Sequence, residues 1–82
     1  MNQQETLEKV NDIFKRIFEN DNLSIDMTTT ADDVEEWDSL NHTLMIVEVE
    51  KFFNLKFKLK EVLGFQNVGD MVNTIVTRLT TP

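Results

Sequence analysis

The sequence predicts an all-α fold: one four-helix bundle with three long helices, a short third helix, and a long loop between the first and second. Three observations carry this. Three separate stretches place apolar residues at helical spacing. The single alternating stretch, residues 54–58, has no second stretch with which to pair as a strand. The chain has 82 residues, of which 40% are hydrophobic, enough for one small core and too few for two. Residues 1–82 are therefore expected to form a single domain.

The first helix is expected over residues 5–19. Leu7, Val10, Phe14 and Ile17 recur at helical spacing, and Ile13 and Phe18 widen the stripe. Glu5 and Glu8 near its start, and Lys15 and Arg16 near its end, suit the helix dipole. Asn20-Asp21-Asn22 is expected to end it. Residues 20–37 show no sustained period. Such a long loop in a small domain is commonly functional. Leu23, Ile25, Met27, Val34 and Trp37 are its expected anchors, with a short helical turn around Asp32–Glu36.

The second helix is expected over residues 39–53, with Asp38 or Ser39 supplying the cap. At about 100° per residue its apolar side chains fall on two arcs. Met45, Ile46, Val49, Phe52 and Phe53 form one, assigned to the core. Leu40, Leu44 and Val47 form the other, beside Ser39, and either dock a partner or lie under the long loop. An extended link leads to a short helix over 59–63, ended by Gly64. The last helix is expected over 67–80. Asn67 and Asp70 resemble a capping box, Val68, Met71, Val72, Ile75, Val76 and Leu79 form the stripe, and Pro82 follows.

Composition excludes several functions. The formal net charge of −7 is the wrong sign for a nucleic-acid binder and favours basic protein partners. Without cysteine, neither disulfides nor thiolate metal sites form. No apolar run approaches the roughly 18 residues that span a bilayer, so no membrane insertion is expected. Met1-Asn2-Gln3-Gln4-Glu5 does not resemble a signal peptide, and a cytoplasmic location is expected. Two glycines, Gly64 and Gly69, cannot build a phosphate loop or a nucleophile elbow. The acids at 32, 33, 35, 36 and 38 lack the pattern of a calcium loop, and no metal site is expected. His42 is the sole histidine, three residues after Ser39, and points toward the core arc. It reads as a partly buried helix histidine rather than a catalytic base, and no enzyme activity is expected.

What remains is Trp37-Asp38-Ser39-Leu40, where the acidic loop becomes a helix. A helix start offers unpaired N–H groups and the positive end of its dipole, and so suits a phosphate. Ser39 is accordingly a candidate for covalent attachment.

Trp37-Asp38-Ser39-Leu40 and the helix that follows it, through Phe53, resemble the prosthetic-group site and second helix of acyl carrier proteins. The resemblance extends to the amphipathic first helix, the long loop, the short third helix, and the Asn67-Val68-Gly69-Asp70-Met71-Val72 opening of the last. It implies that Ser39 carries 4′-phosphopantetheine, delivered from coenzyme A by a magnesium-dependent phosphopantetheinyl transferase, and that the arm's thiol holds acyl groups as thioesters. Asp38 would support Ser39. The second helix would be read by acyl-loading and acyl-transferring enzymes, with Leu40, Leu44, Val47 and Glu48 as recognition residues. A monomer is expected. A hydrophobic cargo is expected to enter the core between the second helix and its neighbours, with Met45 and Phe52 as lining residues. Common fatty-acid carriers have acids two and five positions after the serine, where this chain has Asn41 and Leu44. That departure favours a specialised stand-alone carrier over the general fatty-acid carrier. The alternatives are a peptidyl or aminoacyl carrier and an unmodified helical interaction module.

Overall fold

The computed structural model describes residues 2–80, and Pro82 lies outside them. Four α-helices run in order: α1 Gln3–Ile17, α2 Ser39–Phe53, α3 Leu59–Gly64 and α4 Val68–Thr80. A 3-10 turn, Ala31–Asp33, interrupts the long loop, starting one residue and ending three residues before the turn expected over Asp32–Glu36. The described residues include no strand, and 54–58 is the extended link that the missing pairing partner implied.

α1 begins and ends two residues before its expected bounds, and both shifts have a local cause. At the start, Glu5 N–H donates to Asn2 Oδ1 (2.8 Å) and Asn2 N–H donates to Glu5 Oε1 (3.2 Å), a reciprocal capping box. At the end, Glu19 takes the left-handed conformation (φ 54°), and Asn20 N–H reaches back to the Lys15 carbonyl at 3.0 Å. This is a Schellman closure built without glycine. α2 has its expected bounds and closes in the same way, with Asn54 at φ 54° and Leu55 N–H donating to the Glu50 carbonyl. α3 is one residue longer than expected. Gly64 belongs to the helix and neither glycine has a positive φ, so the stop falls at Phe65, whose ring meets Phe57 edge-on at 5.3 Å.

α1 packs against both α2 and α4. Val10, Ile13 and Phe14 from α1, Met45, Val49 and Phe53 from α2, and Val68, Met71, Val72 and Ile75 from α4 are buried together. Phe52 is a correction to the expected core: it is 51% exposed and leans edge-on against Phe53 at 4.9 Å. Adjacent residues lie about 100° apart on a helix, so the seam that swallows Phe53 turns Phe52 outward. Leu79, in the last turn of α4, is likewise exposed. Arg78 ties α4 to α3, donating to Glu61 Oε1 (2.7 Å) and to the Lys56 carbonyl (2.6 Å). The Lys58 backbone N–H and then Arg78 hold the Glu61 carboxyl below its ordinary range.

The long loop is fastened at several points. Ile25 and Val34 are buried, and Leu23, Met27 and Trp37 pack against the core. Ile25 N–H donates to Asn11 Oδ1 at 2.9 Å. The Thr28 hydroxyl and N–H both donate to Asp26, which holds that carboxyl below its ordinary value. The opening of α4 completes the fastening: Val68 N–H donates to the Thr29 carbonyl and Gly69 N–H to the Met27 carbonyl, each at 2.8 Å. Asp70 N–H donates to Asn67 Oδ1, while the Asp70 carboxylate reaches back to Gln66 N–H, a capping box displaced by one residue.

The close approach at Gly69 has a measurable consequence. A Cβ there would sit 2.5 Å from the Met27 carbonyl oxygen. Gly69→Ala is therefore expected to destabilise the domain by about 1–3 kcal/mol, the usual cost of overpacking. Urea denaturation would check this, and a loss below about 0.5 kcal/mol, the usual range for surface changes, would contradict the contact.

Candidate functional site

The site is built where the loop meets α2. Trp37 is the last fixed point of the loop. Its indole lies edge-on to the buried Phe14 ring (5.1 Å) and near Phe18 (6.1 Å). Asp38 is the cap: Oδ1 accepts from Asn41 N–H at 2.8 Å, and its carbonyl accepts from His42 N–H at 2.8 Å. The choice between Asp38 and Ser39 as cap is thereby decided. Ser39 is the first helical residue and exposed. With the Asn41 and His42 N–H groups taken, those of Ser39 and Leu40 are the first-turn donors left without an acceptor among the described residues.

Asn41 contributes a tie that sequence reasoning did not identify. Its side-chain amide donates to the Glu36 carbonyl (2.9 Å), while Asn20 donates to the Glu36 carboxylate (2.8 Å). The residue that stands where common carriers have an acid thus fixes the angle at which the loop enters α2. Three of the loop acids are similarly occupied: Asp33 accepts from the Thr30 N–H and hydroxyl, and Glu36 and Asp38 hold the partners just named. The described residues contain no cluster of three potential metal ligands.

His42 is partly buried, and its partner is Trp37. The indole Nε1–H donates to Nδ1 at 2.9 Å, with the two ring planes 18° apart. This pair was not legible in the sequence, because it joins a loop residue to a helix residue across the cap. An open depression of about 380 Å³ lies over Ala31, Trp37, Asp38, Ser39, His42 and Thr43. A smaller hollow of about 100 Å³ shares Ala31, Trp37 and His42 with the depression and is otherwise walled by Met45, Phe65, Gln66, Asn67, Val68 and Met71. Met45 lines this hollow. Phe52 does not, since it faces outward. A larger open groove of about 470 Å³ runs along the C-terminal half of α2, lined by Val47, Lys51 and Lys56 among others, and does not include Ser39.

Of the two possibilities for the second apolar arc, the loop does not cover it. Leu40 is 68% exposed, Leu44 44% and Val47 40%. Glu48 lies at the α1–α2 seam, where it accepts from Arg16 at 2.9 Å.

No protein-family model matches the chain, and no curated protein does. A solved structure does match: the solution NMR structure of a holo acyl carrier protein from Geobacter metallireducens is 35% identical in sequence. The match covers 90% of this chain and 85% of that one, with a TM-score of 0.85. At that identity and over that length, the shared four-helix fold is shared ancestry, and the chain belongs to the acyl carrier protein family.

Proposed function

We propose that residues 1–82 form one carrier domain in which Ser39 is esterified by 4′-phosphopantetheine. The observation that carries this reading is the position of Ser39. It is exposed at the first turn of α2, while Asp38 alone supplies the cap. Its hydroxyl is therefore not needed for the fold. A phosphodiester there would meet the unpaired N–H groups at the start of α2 and the positive end of the α2 dipole. The residues present fit the group. When attached, it supplies a terminal thiol that holds an acyl group as a thioester. His42 Nδ1 is committed to the Trp37 indole N–H and is not offered to Ser39. A separate magnesium-dependent phosphopantetheinyl transferase supplies the transfer chemistry, with Asp38 placing Ser39.

Acyl-loading and acyl-transferring enzymes would dock on Leu40, Leu44 and Val47, with Glu48 at the edge of the contact. The apolar character of that strip, with Asn41 and Leu44 in place of acids, supports a specialised pathway over general fatty-acid synthesis. Among the described residues no helix is long and apolar enough to cross a membrane. The carrier is proposed to act as a cytoplasmic monomer.

The test is direct. Apo protein incubated with coenzyme A, magnesium and a broad-specificity transferase should gain the mass of one arm, on the peptide containing Ser39. No gain, or an arm on another residue, would overturn the proposal. The same mass measurement on protein from its native host separates a carrier from an unmodified interaction module, which would show no arm.

A further inference from the structure

Residues 51–60 invert the charge of the molecule. The chain carries −7, yet this stretch holds four of its eight bases, Lys51, Lys56, Lys58 and Lys60, and no acid. All four lysines are exposed. The link between α2 and α3 explains the arrangement. Extended backbone sends alternate side chains to opposite sides, so Leu55 and Phe57 pack against the core while Lys56 and Lys58 face solvent. The flanking acids have other partners. Glu50 Oε2 accepts from Phe57 N–H at 2.7 Å, and Glu61 Oε1 accepts from Arg78 and from Lys58 N–H. Lys51 has a distant counter-ion, Glu48 at 3.9 Å, which also holds Arg16 at 2.9 Å. Among the described residues no ion pair holds Lys56, Lys58 or Lys60.

Apolar side chains stand among these lysines. Leu59 and Leu63 lie one turn apart on α3 and are 74% and 76% exposed, more than any other large apolar side chain described. Phe52, beside Lys51, is exposed as well. A lysine ammonium on its flexible stem meets anionic groups in no fixed geometry. Interfaces between folded proteins are instead depleted in lysine and enriched in arginine. Lysines around protruding leucines therefore suit a fluid anionic surface, where charge and apolar insertion act together and neither suffices alone. We propose that α3 and the link before it form a peripheral docking site for an anionic phospholipid bilayer, with the lysines at the headgroup phosphates and Leu59 and Leu63 entering the headgroup boundary. Thirteen of the fifteen acids precede Lys51. Screening over about 8 Å at physiological salt confines the interaction to the lobe that touches lipid, in a molecule 36 Å long. The site does not depend on an arm at Ser39, so apo protein serves for the test and either reading can fail alone.

The experiment is flotation with vesicles of phosphatidylcholine alone and of phosphatidylcholine and phosphatidylglycerol in equal parts. The protein is expected to float with the mixed vesicles and not with the neutral ones, and to detach as salt is raised. Lys58→Gln with Lys60→Gln should weaken binding roughly 25-fold, about fivefold for each lysine. Lys9→Gln with Lys15→Gln makes the same charge change on α1 and should leave binding nearly unchanged. Leu59→Ser with Leu63→Ser should weaken binding while preserving its salt dependence. No flotation with mixed vesicles at low salt overturns the proposal, as does equal flotation with neutral vesicles. Equal losses for the two lysine pairs would assign the effect to net charge and overturn the site. Binding to polyglutamate without flotation would assign the lysines to an acidic protein and overturn the lipid reading. Circular dichroism confirms the fold of each variant, and Lys56→Gln, in the link, replaces any lobe pair that misfolds.

Discussion

Replacing Ser39 with alanine is expected to abolish pantetheinylation while leaving stability within about 0.5 kcal/mol of the parent. The two halves of this prediction come from different atoms. The nucleophilic oxygen that would receive the arm is the Ser39 hydroxyl, and no second exposed serine stands at a helix start; Ser24, the other serine, lies in the loop. The fold, in contrast, uses Ser39 only through its backbone, whose carbonyl accepts from the Thr43 hydroxyl at 3.1 Å and persists in alanine. Alanine is also a slightly better helix former than serine. Asp38→Ala is the contrasting change. It removes the carboxylate that accepts from Asn41 N–H and should cost about 1 kcal/mol, the usual value of a cap. Intact mass after transferase treatment reads the first half, and the urea midpoint reads the second. A Ser39→Ala midpoint as low as that of Asp38→Ala would show that Ser39 also supports the helix start. Its failure to be modified would then no longer identify the attachment site.

The contrast between Asp38 and Ser39 also shows what the sequence could reveal. The bounds of α2 were legible because a good capping residue stands directly before a strong apolar pattern, and local chemistry suffices to place such a boundary. The ends of α1 were not. Its start depends on Asn2 and Glu5 bonding reciprocally, and its end on Glu19 adopting a left-handed conformation that a glycine would have signalled. The core assignment failed at Phe52 for a further reason. Spacing groups Phe52 with Phe53, but only the packing against α1 decides which of two neighbouring rings enters the seam. The site divides along the same line. Ser39 and Asp38 lie next to one another in the chain and were visible as a pair. Trp37 with His42 and Asn41 with Glu36 are each five positions apart, joined across the loop–helix junction. Neither spacing is that of a helix face, so no periodicity could display them.

Phe14→Ala is expected to cost about 3–5 kcal/mol, the range for emptying a fully buried aromatic site. Phe14 is 0% exposed in the last turn of α1, and its ring centroid lies 5.1 Å from those of both Phe18 and Trp37. A domain of this size has about 4–12 kcal/mol of stability in total at the usual per-residue value, so the loss would consume much of it. The melting temperature should fall by on the order of 20 °C. The consequence reaches the site, because Trp37 loses the ring that backs it and His42 loses a fixed partner. Phe52→Ala removes the same atoms from a ring that is 51% exposed, and should cost about 1 kcal/mol, since only about half of its surface is taken from water on folding. The two substitutions are chemically identical, so helix propensity and side-chain entropy nearly cancel between them and the difference isolates burial. Thermal denaturation followed by circular dichroism would measure both. Equal losses at the two positions would mean that Phe52 is buried in solution, restoring the apolar arc that spacing alone implied and removing the outward-facing surface at the end of α2.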